Sequence, residues 1–394
     1  MISKEMSKLV QGSSAIRAMF EEGKRLASIY GAENVYDYSL GNPSVAPPKE
    51  IKEVIKNILD TENPNHLHGY TNNSGFEDVR TSIAENINSK KGSNFTFRNI
   101  VMTNGAAAGL NIIFKCILNP GDEIITFAPF FTEYRNYVSY YSSTLTVVPA
   151  DTETFQVNFE EFEKLVSPKT RGILINTPNN PSGAVYSKET IRKIAEILNR
   201  KQEEFGTDIY LISDEPYREL VYEDIEIPFI PEYYKNTFAA YSFSKSLSLP
   251  GERIGYVTLN SEMADFDEMT QALNVANRVA GFVNANSLFQ KVVPYCLDYT
   301  VDIEIYNKNR ILLYDKLTEL GFKCVKPAGA FYLFPQSLIE DDIEFCKIAK
   351  EYNLLFVPGT GFGCKGHVRL SYCISEETIR NSFPAFEKLA ARFK

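Results

Sequence analysis

Apolar positions along the chain follow two rhythms. From Pro47 the stretch PPKEIKEVIKNILD sets Ile51, Val54, Ile55 and Ile58 at helical spacing behind prolines suited to a helix start, which predicts an amphipathic helix. Further on, short apolar runs end in polar, Gly or Pro residues: NIVMTNG, DEIITFAP, STLTVVPA, RGILINTP, DIYLISDE, TFAAYSFSK and ERIGYVTLN. They are mostly continuous rather than alternating, and helical stretches such as SKETIRKIAEILNRKQEEF separate them. Strands of that kind are covered on both faces, so the pattern predicts an α/β fold with a mostly parallel, seven-stranded sheet sandwiched by helices.

After Asn284 the rhythm changes. A long helical stretch is expected from about Ser287 to Leu320, then short strands in FKCVKP, AFYLFPQ, NLLFVPG and HVRLSYC, interleaved with helices. This predicts a smaller α+β domain hinged through a long helix. The first 40 or so residues, with the helical IRAMFEEGKRLASIYG, have no strand partner nearby in sequence and are assigned to the same domain. The expected organisation is an N-terminal segment of the small domain at 1–46, a large domain at 47–290 and the rest of the small domain at 291–394.

Composition narrows the class. With 394 residues, 44% hydrophobic and 23% charged, the chain has the make-up of an ordinary globular protein able to bury a sizeable core. Lys and Arg number 41 against 50 Asp and Glu, a net charge of −9, so no basic field exists to draw nucleic acid or anionic lipid. The six cysteines are scattered with no CxxC pair, which supports free thiols over a zinc site or a disulfide framework. The N-terminus lacks a signal-peptide core and no apolar run of about 18 residues occurs, so a cytoplasmic location with no membrane contact is expected.

Open α/β sheets bind ligands at the carboxyl ends of their strands, and four such ends carry chemistry here. They are TNGAAAGL at 103–110, NTPNNPSG at 176–183, SDEPY at 213–217 and SFSKSLSLPGERIG at 242–255. A lysine directly behind an apolar strand, as Lys245 is, sits where its ammonium is partly desolvated and suited to Schiff-base chemistry. Asp214 closes a buried run, a costly place for a carboxylate unless a cation meets it. Alone, Asp214 would read as a helix N-cap and Asn180 as a turn residue before Pro181.

Together the four motifs closely resemble the aspartate aminotransferase family, the class I and II aminotransferases that carry pyridoxal 5′-phosphate on fold type I. The 242–255 segment satisfies the family's lysine-attachment pattern at every constrained position, with Gly251, Arg253 and Gly255 following Lys245. The resemblance implies that Lys245 bears the cofactor, that Asp214 pairs with its pyridine nitrogen, and that Tyr217 and Asn180 share its phenolic oxygen. It implies a phosphate site at Gly105, Ala106 and Ala107, completed by Ser242, Ser244 and Arg253, with Phe131 stacked on the ring where relatives commonly use Trp.

For the substrate, the resemblance implies that Arg369 grips the α-carboxylate and that the Gly41 backbone closes over it. Tyr70 matches a tyrosine that reaches the phosphate of a neighbouring subunit, so a homodimer with composite sites is implied. Arg278 falls near the position where relatives acting on acidic substrates hold a second arginine. The implied activity is transfer of an amino group from an L-amino acid, aspartate-like or broad, to a 2-oxoacid by a ping-pong mechanism. Carbon–sulfur lyases, aspartate 4-decarboxylases and non-catalytic pyridoxal-binding regulators share the fold and are the alternatives.

Two further patterns are weighed. Gly361, Gly363 and Gly366 spell GxGxxG, but strand-like HVRLSY follows instead of a helix, so they are expected to form a flexible loop before Arg369. His66 and His68 have no third ligand nearby and read as loop histidines.

Overall fold

The structure, a computed structural model, describes residues 2–11 and 15–394. The seven apolar runs form one sheet: β2 (Ile100–Thr103), β3 (Glu123–Phe127), β4 (Thr144–Val148), β5 (Thr170–Asn176), β6 (Tyr210–Asp214), β7 (Thr237–Ser242) and β8 (Gly255–Leu259). Their spatial order is β2-β8-β7-β6-β5-β3-β4, and β8 alone runs against its neighbours. Adjacent residues face opposite cores. Ile124, Leu174 and Ile212 lie in one buried cluster, while Ile125, Ile173 and Leu211 lie in another. Helices Ala106–Ile117 and Phe266–Val279 cover the first face, and Lys188–Phe205 covers the second. Burial on both sides is why these strands are continuously apolar.

The predicted helix after Pro47 spans Glu50–Thr61 and buries Ile51 and Ile58. The helix expected over 287–320 is instead broken: Ser287–Val292, a 3₁₀ turn at Val293–Tyr295 containing Pro294, and then Ile303–Glu319, which Asp302 caps. Proline withholds a backbone N–H from a helical ladder and ends it. Val292, Val293 and Cys296 still pack with Ile51 and Ile58, whereas Val301 joins the last third of the chain, so the core partner changes between Cys296 and Val301.

In the remaining chain, the expected strand in FKCVKP is absent, and its residues run without a ladder. The other three expected segments form four short strands, NLLFVPG being split in two: β9 (Tyr332–Leu333), β10 (Leu354–Leu355), β11 (Val357–Pro358) and β12 (Val368–Ser371), with β11-β12-β9 an antiparallel sheet. The N-terminal strand β1 (Tyr36–Asp37) pairs in parallel with β10, and the Tyr38 hydroxyl bonds that of Ser382 at 2.6 Å. Chain beginning and chain end therefore share one body. Among the described residues, no helix is long and apolar enough to cross a membrane.

Candidate active site

β2, β5, β6 and β7 are co-oriented, so Thr103, Asn176, Asp214 and Ser242 end at one edge of the sheet. There a cavity of about 320 Å³ opens against β9, β12 and the segment that follows β1. Its lining includes Gly41, Ala106, Ala107, Phe131, Asn180, Asp214, Tyr217, Ser242, Ser244, Lys245, Arg253 and Arg369, with residues drawn from all four strand-end motifs. Gly105 stands directly behind: its φ is 82°, and a Cβ there would lie 2.6 Å from Arg253. That position needs glycine on both counts.

Lys245 sits in the short helix Phe243–Ser246, which Ser242 caps by accepting from the Ser244 N–H. Its Nζ donates to the Gly41 carbonyl at 2.7 Å. Burial pushes the Lys245 amine down to about 8, opposed by the Cys373 thiol and reinforced by the Arg369 and Arg253 charges. Across the cavity, burial raises the Asp214 carboxyl to about 7, even though the Tyr134 hydroxyl donates to Oδ2 at 2.5 Å. The other oxygen, Oδ1, is buried without a partner. An orphaned, buried carboxylate oxygen on a residue that lines the cavity fits a cationic ring N–H.

A second cradle suits an anion. Ala106 and Ala107 open the helix Ala106–Ile117, where the first backbone N–H groups have no intrahelical acceptor and the helix dipole is positive. The hydroxyls of Ser242 and Ser244 meet at 2.7 Å, and Arg253 Nη1 reaches Ser244 at 3.4 Å. Phe131 flanks the lining, with its ring edge-to-face against Tyr134.

Arg369, in β12 and only 2% exposed, donates to Asn180 Oδ1 at 3.1 Å and to the Ser39 carbonyl at 2.5 Å. Its Nε has no partner. Asn180 is held in turn by Asn176, whose Oδ1 accepts from the Asn180 N–H at 2.7 Å and whose Nδ2 donates to the Asp214 carbonyl. The guanidinium thus keeps unused donor capacity inside a closed network, an arrangement that suits a carboxylate.

Two predicted residues lie elsewhere. Tyr70 is 92% exposed and lines a separate hollow with His68, Asn284 and Asn286. Arg278 is exposed on the helix Phe266–Val279 and does not line the cavity. The glycine triplet also differs from expectation. Gly361 lies in a 3₁₀ turn, Gly359–Phe362, whose buried Phe362 and bonds from Thr360 and Gly366 to Asp342 make it a pinned turn rather than a flexible loop. β12 follows it, as the sequence indicates.

Sequence reasoning passed over Tyr134, Asn176 and Tyr332. Asn176 was available as the first residue of NTPNNPSG, and Tyr134 as the polar-tipped residue three beyond Phe131. Tyr332 lies within an apolar run and gives no such signal.

The family model for aminotransferase class I and II matches residues 32–385. Among curated proteins, the aspartate aminotransferase of Pyrococcus horikoshii is 32% identical over 388 residues, covering 95% of this chain and 94% of its own. That of Thermotoga maritima is 29% identical over 375 residues, covering 94% and 95%. Among solved structures, an amino transferase from Eubacterium rectale superposes with a TM-score of 0.97 at 47% identity over 100% of both chains. The chain is an enzyme that transfers nitrogenous groups, and it belongs to the class I and II aminotransferase family.

Proposed function

We propose that the chain binds pyridoxal 5′-phosphate and moves the amino group of an L-amino acid to a 2-oxoacid in two half-reactions of a ping-pong cycle. One observation carries this reading: the cavity that holds the depressed amine of Lys245 also holds the unpartnered Oδ1 of buried Asp214. Asp214 and the Ala106–Ala107 cradle fit the two ends of the cofactor, with Lys245 between them in role. When bound, pyridoxal phosphate supplies an electrophilic carbon and a ring that takes up the electron pair left at the substrate Cα.

The chain's own residues do the rest. Asp214, ionised once a cation meets it, holds the proton on the ring nitrogen and keeps the ring electron-poor. Tyr217, whose hydroxyl burial keeps neutral, donates toward the phenolic oxygen, and Asn180 shares it. Arg369 orients the substrate carboxylate. Lys245 Nζ, uncharged in part near pH 8, would take the proton from the substrate Cα and deliver it to the C4′ carbon of the bound cofactor.

The names of the aspartate aminotransferase relatives support an aspartate-like donor, with Arg278 as the residue that would read a second carboxylate. The reading includes a cytoplasmic homodimer. The near-full exposure of Tyr70, a large ring in a polar hollow, supports a role for it in the partner's site. It also includes a small domain, built from 1–46 and 291–394, hinged to the large one.

Borohydride reduction followed by peptide mass spectrometry tests the attachment, and the expected product is a single reduced adduct on Lys245. A substrate panel scored separately for oxoacid-dependent transfer, ammonia or pyruvate release, and decarboxylation tests the reaction. Release of ammonia and pyruvate without an acceptor would mark a lyase, loss of carbon dioxide a decarboxylase, and no turnover a regulator.

A further inference from the structure

Tyr332 occupies the junction of three groups already described. Its hydroxyl lies 2.9 Å from that of Tyr217. Its ring lies beneath Arg369, with the guanidinium carbon 4.7 Å from the ring centroid. It also packs so close under the substrate-covering segment that a Cβ on Gly41 would fall 2.0 Å from the Tyr332 hydroxyl oxygen. The residue is 2% exposed and lines the cavity.

Each phenol carries a single hydrogen. If the Tyr217 hydrogen is turned toward the cofactor's phenolic oxygen, Tyr217 has none left for Tyr332 and must accept from it. Tyr332 therefore sets the direction of a two-hydroxyl relay, and a hydroxyl that accepts such a bond becomes a stronger donor. The same ring offers its negative face to the Arg369 guanidinium. Substrate carboxylate arriving at Arg369 offsets that charge and changes the field at the Tyr332 hydroxyl.

We propose that Tyr332 is a positioning residue that points the Tyr217 hydroxyl at the cofactor's phenolic oxygen and, through its ring, supports Arg369. It thereby links carboxylate binding to the electronic state of the cofactor. The inference rests on the proposed cofactor reading and adds a residue to it.

The test compares purified holoenzymes of wild type, Tyr332→Phe, Tyr332→Leu, Tyr217→Phe and the Tyr217→Phe/Tyr332→Phe double variant. The first readout is the pH at which the absorbance of the lysine-bound cofactor changes. The second is the Kd of maleate, a dicarboxylate that carries no amino group. Tyr332→Phe is expected to raise the absorbance midpoint by about half to one pH unit, because a less well supported phenolic oxygen holds its proton more tightly. Maleate affinity should stay within about twofold, since the ring remains. Tyr332→Leu is expected to weaken maleate about three- to thirtyfold. In the Tyr217→Phe background, removing the Tyr332 hydroxyl should move the midpoint no further.

A Tyr332→Phe midpoint equal to wild type would overturn the relay, and so would an equal added shift in the Tyr217→Phe background. Unchanged maleate binding in Tyr332→Leu would overturn the link to Arg369. A wild-type protein with no cofactor absorbance overturns the cofactor reading itself, which is visible before any variant is compared.

Discussion

Tyr134 donates its phenolic hydrogen to one oxygen of Asp214 at 2.5 Å, and the other oxygen of that carboxylate, Oδ1, is buried with no partner. The two oxygens of one side chain thus stand in opposite conditions. Tyr134, itself buried and held neutral, steadies the carboxylate from behind and leaves its front edge free for a cation.

In the cofactor-free protein this arrangement makes stability depend on pH. The Asp214 carboxyl is raised to about 7 by burial, whereas an unfolded chain ionises it near 4. The folded state therefore binds the proton more tightly, and the Asp214 contribution is fully present below about pH 4 and lost as pH rises through 7, about 4 kcal/mol in all. Thermal melts should show wild type losing ground to Asp214→Asn over that interval. In Tyr134→Phe the loss should extend to higher pH, because the hydrogen bond that favours the carboxylate is gone. Parallel melting curves for wild type and Asp214→Asn at every pH would refute the assignment.

Attachment of pyridoxal phosphate requires an uncharged Lys245. With the amine lowered to about 8 by burial, the attachment rate should climb with pH up to about 8 and then level off. An ordinary lysine would still be gaining near 10. Stopped-flow absorbance at fixed cofactor concentration reads the profile.

Truncating Arg369 to alanine should weaken every amino acid and oxoacid alike, because all carry the α-carboxylate. Loss of one partner of a buried charge pair costs about 2 to 5 kcal/mol. kcat/KM measured across acidic, aromatic and aliphatic donors checks this, and selective damage to one class would make Arg369 a side-chain reader instead.

Arg278→Leu should lower kcat/KM for aspartate far more than for an aromatic donor. It is exposed on the helix Phe266–Val279, outside its own chain's cavity, which fits a role in a partner's site under the proposed homodimer. Equal losses on both donors would reject the selector role.

Subunit mixing tests the composite site. Lys245→Ala chains should be inactive and Tyr70→Ala chains strongly impaired. In a mixed dimer with shared sites, one site inherits both changes and the other neither, so activity returns when the two are refolded together. If each site draws on one chain only, mixing restores nothing.

Much of this fold is readable from the chain because continuous apolar runs and helical spacing are direct imprints of two-sided burial. Ile124 and Ile125 both had to be apolar, since they face different cores. Lys245 was legible because a polar residue directly after such a run falls at the sheet's functional edge, whereas Asp214 and Asn180 stood out only through the resemblance carried by their motifs. Tyr332 and Tyr134 were not, because a phenol in an apolar stretch looks like packing until tertiary structure turns its oxygen toward another group. The break between Val292 and Ile303 was likewise hidden, because apolar spacing suited to a helix continues on both sides of Pro294. The missing strand in FKCVKP has the same cause in reverse: a β-like composition does not by itself form a ladder, and the Lys323 carbonyl takes a single backbone bond, from the Gln336 N–H at 2.8 Å.

The pairing of β1 with β10, and of Tyr38 with Ser382 across 344 positions, bears on how the protein is made. Strand β1 leaves the ribosome roughly 300 residues ahead of its partner β10, and contacts that distant are slow to close. The central sheet, whose strands lie between them in the chain, can assemble during synthesis, while the Ser39 carbonyl lacks its donor until Arg369 emerges. If Arg369 grips the substrate as proposed, a product truncated before it would carry Lys245 without that grip.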